Sequence, residues 1–302
     1  MLTPPAALSD WIRELLGADV DEVREPLAGA STATIWPLVA GGRSLIAKVY
    51  DLGIDGVGAD DVRRDAAAMR AASEVGLVAP RLVAADEAGA RLGVPAIVMS
   101  RLDGAPRPNG GADPERWVDG LADVLIAVAR APRPTEPLSI RAPWFALPVE
   151  APSWTSDPSL WPAISEVLAA SIPAGPDGFI HRDFHQLNVV WNGDEAVGLV
   201  DWVNGCLGPV ESDIACCRFN IACAEDARDG IALADRFLER CRDAGLAWHP
   251  LWDLEWLAGA ADIERMVEAN VSLGATSTVQ RTAAVFDELA RRALDAAAEW
   301  SP

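Results

Sequence analysis

"FIHRDFHQLNVVWNGDEAVGLVDW", residues 179–202, is the stretch on which the reading of this chain turns. Two apolar runs, "NVVW" and "AVGLV", flank Asn192-Gly193, a pair that favours the tight turn of a β-hairpin. His181, Asp183, His185 and Asn188 lie just before the first expected strand, and Asp201 lies just after the second. A hairpin therefore returns Asp201 to the side of the 183–188 loop. Two carboxylates and an amide then converge, a set suited to phosphoryl transfer from a nucleotide. One carboxylate accepts a hydroxyl proton, while the other and the amide hold the magnesium that bridges the phosphates.

Outward from the hairpin the two directions differ. Toward the C-terminus the pattern is helical over 211–224, 228–244, 250–269 and 279–299. On the other side, "SLWPAISEVLAASI" and "PERWVDGLADVLIAVARA" are also helical, the latter opened by Pro114 in its first turn. Between these two, residues 131–162 carry eight prolines and the tryptophans Trp144, Trp154 and Trp161, a long irregular connection. Before Gly104, strands prevail. "VREPLAGASTATIWPLV" and "RSLIAKVY" meet at a Gly41-Gly42 turn, and "PRLVAADE" and "RLGVPAIVMSRL" flank Ala88-Gly89. A helix, "DDVRRDAAAMRAASEVG", separates the two pairs, and a short one over 10–17, capped by Ser9 or Asp10, precedes them. The expected fold class is α+β in two lobes: a small β-rich one over 1–99, a hinge at 100–104, and a larger, mainly helical one over 105–302.

In "RSLIAKVYDL", residues 43–52, Lys48 is the only lysine of a chain whose other basic residues are all arginine. Two readings stand on the decapeptide alone: a stem lying along the sheet with its ammonium reaching water, or a place that needs a compact point charge which a planar guanidinium does not imitate.

A formal charge of −20 argues against a nucleic-acid backbone or an anionic membrane as partner and suits solubility or a cationic ligand. The five cysteines, Cys206, Cys216, Cys217, Cys223 and Cys241, include no C-x-x-C pair and read as small buried hydrophobes in a reducing compartment. No run of about 18 apolar residues free of charge occurs, and the N-terminus lacks a basic segment followed by an apolar one, so no membrane span and a cytoplasmic location are expected.

H-R-D-x-x-x-x-N followed by a strand-borne aspartate is the pattern of protein-kinase-type enzymes. "HRDFHQLN" followed by "LVDW" resembles the aminoglycoside phosphotransferase family, the protein-kinase-like small-molecule kinases, which commonly read H-G-D-x-H-x-x-N and then I-D-W. "LIAKVY" resembles that family's phosphate-binding lysine strand, "IVMSRLDG" its hinge, and "GPVESDIACC" the segment after its metal aspartate. The resemblance spans nearly the whole chain and implies a bilobal protein-kinase-like fold. It implies ATP or GTP with Mg2+ as cofactors, Asp183 as the proton acceptor, and Asn188 and Asp201 as metal ligands. Lys48 would hold the α- and β-phosphates, with Asp65 directing it. Backbone groups at Ser31 and Thr32 would cover the phosphates, and those at Ser100 and Leu102 would meet adenine. His181, Arg182, His185 and Asp213 would support the loop.

Three departures from the family pattern stand out. Arg182 replaces the usual glycine, Gln186-Leu187 the usual Pro-Gly, and Asp65 the usual, one-methylene-longer glutamate. The substrate expected from the resemblance is a hydroxylated small molecule, an antibiotic first (an aminoglycoside, then a macrolide), handled by a monomer or homodimer. Helical-lobe acids such as Glu211, Asp229, Asp253, Glu264 and Glu268 are candidates for binding its amines, and the three tryptophans for an apolar wall. The competing readings are a metabolic kinase for choline-like, sugar or amino-alcohol substrates, a metallohydrolase using His181, Asp183, His185 and Asp201, and an inactive kinase fold that serves as a binding module.

Overall fold

The computed structural model describes residues 4–27, 33–51, 58–107, 109–170, 177–224, 227–260, 263–272 and 277–299. Its N-terminal part is one antiparallel sheet in the order β1-β2-β3-β5-β4, formed by β1 (Val20–Val23), β2 (Thr34–Ala40), β3 (Arg43–Val49), β4 (Leu82–Asp86) and β5 (Ala96–Ser100). The β2–β3 turn is Gly41-Gly42, both at positive φ, as the sequence implies. Strand alternation then decides which way each β3 side chain points. Leu45, Ala47 and Val49 face outward into a cluster closed by Leu8, Trp11 and Ile12 of helix α1 (Leu8–Leu16). Ile46 and Lys48 face the opposite way, toward the rest of the molecule. Burying Trp11 and Ile12 contributes roughly 1.5–3 kcal/mol each, which fastens α1 to the sheet. This helix begins two residues earlier than expected, after Ala7, and has no side-chain cap.

Helix α2 (Ala59–Glu74) lies against the inner face. At its far side it packs on the turn that follows Asp201, where Gly205 approaches so closely that a Cβ there would stand 2.6 Å from the Ala68 methyl. Gly205 has an ordinary φ of −56° and is required for contact, not for backbone freedom.

The remainder is mainly helical. Short strands β6 (Ala105–Pro106), β7 (Gly178–Ile180), β8 (Val189–Asn192), β9 (Glu195–Leu199) and β10 (Cys206–Gly208) line its upper edge. Below them pack α3 (Pro114–Arg130), α4 (Leu160–Ala170), α5 (Glu211–Ala224), α6 (Ala227–Asp243), α7 (Leu251–Gly259), α8 (Ile263–Ser272) and α9 (Val279–Glu299). The single helix expected over 250–269 is two, α7 and α8, parted after Gly259. The β8–β9 turn is Gly193-Asp194, with Gly193 at φ +61°, one residue later than Asn192-Gly193. A register shift beside Trp191 leaves Asn192 paired with Glu195 inside the ladder.

Residues 131–159 form no helix or strand, apart from a single bridge between Ile140 and Leu207. Of the three tryptophans in that region, Trp154 and Trp161 pack edge-to-face in the core, and Trp154 also meets Phe286. Trp144 alone stands half exposed. The five cysteines are buried and unpaired. No helix among the described residues is long and apolar enough to cross a membrane.

Candidate active site

The hairpin base is closed by the Val200 N–H donating to the Asn188 carbonyl at 2.9 Å, which carries Asp201 back beside the 181–188 loop. Asn188 is buried, and its amide nitrogen donates to the Asp183 carbonyl at 2.9 Å, so the loop folds upon itself. His185 stands between them: its Nε2 is 3.5 Å from Asp183 Oδ1 and 3.2 Å from the Asn188 amide nitrogen. His181 is fully buried, its Nε2 at 2.9 Å from the Val200 carbonyl and its ring edge-on to Trp202. Burial pushes its pKa down and keeps it neutral. This ring braces the hairpin, and among the described residues no group of three or more His, Cys, Asp or Glu side chains is placed to hold a metal ion, as the metallohydrolase reading needs.

Asp213 fixes the other side of the loop. One of its oxygens accepts the His181 N–H at 2.8 Å and the other the Arg182 N–H at 2.6 Å. Burial raises its pKa to about 7 in spite of these two donors. Arg182 takes a left-handed φ of +65°, a conformation that glycine adopts without strain. The glycine usual in the resembling family thus has a physical reason at this position, and Arg182 occupies it under strain. Its guanidinium donates to the Ala142 carbonyl and lies over the Trp144 ring, 4.3 Å from the centroid.

Lys48 meets this loop from the sheet. Its Nζ lies 2.8 Å from Asp65 Oδ2 and 2.6 Å from Asp201 Oδ1, with only 3% of the residue exposed. The ammonium does not reach bulk water, so the stem-along-the-sheet reading is overturned. Burial opposes its charge, but Asp201 and Asp65 outweigh that, and its pKa stands well above the lysine value. Burial likewise works against the Asp201 carboxylate, yet Lys48 prevails and the pKa falls. Asp65, buried and sharing one ammonium with a second carboxylate, has its pKa raised. The shorter side chain at Asp65 nevertheless reaches Lys48, at 2.8 Å. Tyr50, two residues along the same strand face, donates its hydroxyl to Asp65 Oδ2 at 3.3 Å. Sequence reading missed it, although the two-residue spacing from Lys48 was the available signal.

A cavity of about 590 Å3 opens over these groups, a size suited to small-molecule sites. Lys48, Asp183, Asn188 and Asp201 line it, with Ile46, Met99 and Leu102 on one side and Trp144, Trp256 and Met266 on the other. Ser100 also lines it, donating its N–H to the Arg81 carbonyl while its Oγ accepts the Arg81 N–H. Ser31 and Thr32 lie outside the described residues. Of the acids considered for substrate amines, Glu211 and Asp253 are buried, Asp253 against Arg218. Asp229, Glu264 and Glu268 are exposed, and among the described residues the carboxylates on the cavity wall are those of Asp183 and Asp201. For magnesium the available donors are the Asp201 carboxylate and the Asn188 amide oxygen, whose nitrogen end is already engaged. Both are hard oxygen donors of the kind that ion takes.

The sequence model of the phosphotransferase enzyme family matches residues 22–259. Among solved structures the chain is similar to a thermostable mutant of the aminoglycoside phosphotransferase APH(4)-Ia in ternary complex with ADP and hygromycin B. That likeness has a TM-score of 0.60 at 14% identity, over 98% of this chain and 100% of that one. It is similar to a macrolide 2'-phosphotransferase from Brachybacterium faecium, with a TM-score of 0.57 at 15% identity over 96% and 97% of the two chains. A choline kinase from Streptococcus pneumoniae gives a TM-score of 0.61 at 14% identity over 97% and 98%. At such identities the likeness is one of fold, the bilobal kinase-like arrangement. No curated protein sequence matches the chain.

Proposed function

The chain belongs to the phosphotransferase enzyme family, and on that footing we propose that it transfers the γ-phosphoryl group of ATP or GTP to a hydroxyl of a small molecule. One observation carries the reading: Lys48 and Asp201, 153 residues apart, meet at 2.6 Å in a cavity that Asp183 and Asn188 also line. In this reading the acceptor oxygen bonds to the γ-phosphorus as the bond from that phosphorus to the β-phosphate oxygen breaks. The hydroxyl proton passes to Asp183, and the nucleoside diphosphate departs. His185 orients the Asp183 carboxylate. Lys48 turns from Asp201 toward the α- and β-phosphates while Asp65 retains it. Asn188 and Asp201 would hold Mg2+, which would supply positive charge to offset that of the phosphates. Ser100 and Leu102 border the base. The lobes divide at 100–104, and the enzyme works in the cytoplasm. The leading acceptor class is an antibiotic, as the hygromycin B and macrolide neighbours favour, with resistance as the consequence; a metabolic alcohol is the alternative, as the choline kinase favours.

Replacing Asp183 by Ala tests the chemistry. Phosphoryl transfer is expected to fall by about 100-fold or more, while Mg-nucleotide affinity, read by calorimetry, holds within a few-fold. Unchanged transfer in that variant overturns the assignment. Expression in a sensitive host against aminoglycosides, macrolides and peptide antibiotics identifies the acceptor class.

A further inference from the structure

Trp144 lies on the irregular connection, yet it is held from three directions. The Arg182 guanidinium stacks on its ring at 4.3 Å from the centroid and donates to the Ala142 carbonyl two residues earlier. From the third side, Gly259 at the end of α7 leaves it room: a Cβ there would stand 3.2 Å from Trp144 Cβ and 3.9 Å from Cε3. A tryptophan so fixed would ordinarily be buried, but Trp144 keeps 50% of its surface exposed and lines the cavity that holds Asp183. Trp256 and Met266, both partly buried, stand on the same wall. Trp256 is itself fixed by Phe219 and Phe286, at 4.6 and 5.5 Å between centroids. Two rigid indoles beside the proton acceptor make a ring-binding surface that loses little entropy when a ligand settles on it. Among the described residues, the wall's two carboxylates are the proposed base and the partner of Lys48, so neither is left for a ligand's amines.

We propose that Trp144 is a stacking platform for the acceptor, with Arg182 as its positioning residue, and that the acceptor carries its hydroxyl beside a flat, mostly apolar ring face. This rests on the phosphotransfer reading and narrows it.

The test is a phosphorylation panel with 4-nitrophenyl β-D-glucopyranoside and a macrolide as ring-faced alcohols, and with hygromycin B, choline and glucose as polycationic or compact ones. At least one ring-faced alcohol should exceed every other compound tenfold or more in kcat/KM. For that compound Trp144→Ala should raise KM at least tenfold while kcat falls less than threefold, and Trp144→Phe should recover most of the affinity. Gly259→Val, which drives a side chain into Trp144, and Arg182→Lys, which keeps the charge but not the plane, should each raise KM several-fold.

Preference for hygromycin B or choline, no phosphorylation of either ring-faced alcohol, or an unmoved KM in Trp144→Ala overturns the proposal. The two levels separate cleanly. If wild type turns over nucleotide in an Asp183-dependent way while KM ignores Trp144, the platform fails and the phosphotransfer reading survives. If wild type neither binds nor turns over nucleotide, both fail.

Discussion

The two halves of the cavity are built by different means. On the nucleotide side, Lys48 sits in β3 between β2 and β5, paired in register with Ile35 and Ile97. Backbone ladders on both flanks fix its Cα, and a buried ion pair fixes its Nζ. On the acceptor side, Trp144 belongs to a segment without regular structure, positioned by one guanidinium and by the missing side chain of Gly259. The first half depends on the whole sheet. The second depends on one stacked guanidinium and one absent side chain, so its wall is free to vary while the charged centre stays put.

The comparison breaks most visibly at Lys48. Lys48→Met removes the charge but keeps the stem, leaving Asp65 buried without its cation and the solvent-exposed Asp201 without its partner. Because breaking a buried pair strands the remaining charge, a loss of about 3–5 kcal/mol is expected in denaturant unfolding, together with a fall of about 100-fold or more in turnover. Relief by a second change, Asp65→Asn, would tie the loss to the stranded carboxylate. A loss below about 1 kcal/mol would mean that water reaches Asp65 and that the nucleotide half is not the rigid one.

Asp213 comes next, since it ties the loop shared by both halves to α5. In Asp213→Asn one acceptor oxygen becomes an NH2 group facing the N–H of His181 or Arg182, at a cost of about 1–3 kcal/mol. The carboxyl titrates at about 7 in the fold, above its ordinary value. Between about pH 4 and pH 7 the native state therefore binds a proton that the unfolded chain does not, and stability falls as pH rises through that window. Thermal midpoints across the window should show this slope in the wild type and a flatter one in Asp213→Asn. Equal slopes would mean that Asp213 does not titrate there.

The same contrast explains what the sequence disclosed. The charged centre was legible because its residues occur at fixed offsets from a hairpin, and a hairpin's geometry follows from its two apolar runs. The turn itself came one residue late, because a register shift near Trp191 is set by side-chain packing and leaves no mark in the alternation. The break between α7 and α8 was not legible either, since the helical periodicity runs on across it. The platform was half legible. The proline-rich connection drew attention to three tryptophans, but only tertiary packing sends Trp154 and Trp161 into the core and leaves Trp144 on the wall. Of the carboxylates considered for amines, Glu211 and Asp253 are core residues, Asp229, Glu264 and Glu268 surface ones, and Glu225, Asp226 and Asp262 lie outside the described residues; helical periods alone do not assign any of them to a cavity.

Arg182 offers the smallest effect, and it separates the costs of the acceptor half most sharply. Its φ of +65° is strained for any residue with a Cβ, while its guanidinium supports Trp144. Arg182→Ala and Arg182→Gly lose the same guanidinium and the same hydrogen bond to Ala142. They differ only in the Cβ at a left-handed position, where glycine is favoured by about 1 kcal/mol. The Gly variant should therefore be more stable than the Ala variant by about that amount, and both should be equally poor at holding the ring-faced acceptor. If the two variants melt together, the loop has relaxed out of the left-handed region and the residue carries no strain. If Gly alone restores acceptor affinity, it is the backbone of residue 182 and not the stacked guanidinium that sets the wall. Opposite signs in stability and affinity for one substitution would show that this chain accepts a strained arginine beside its catalytic loop in order to fix an indole on the far side of the site.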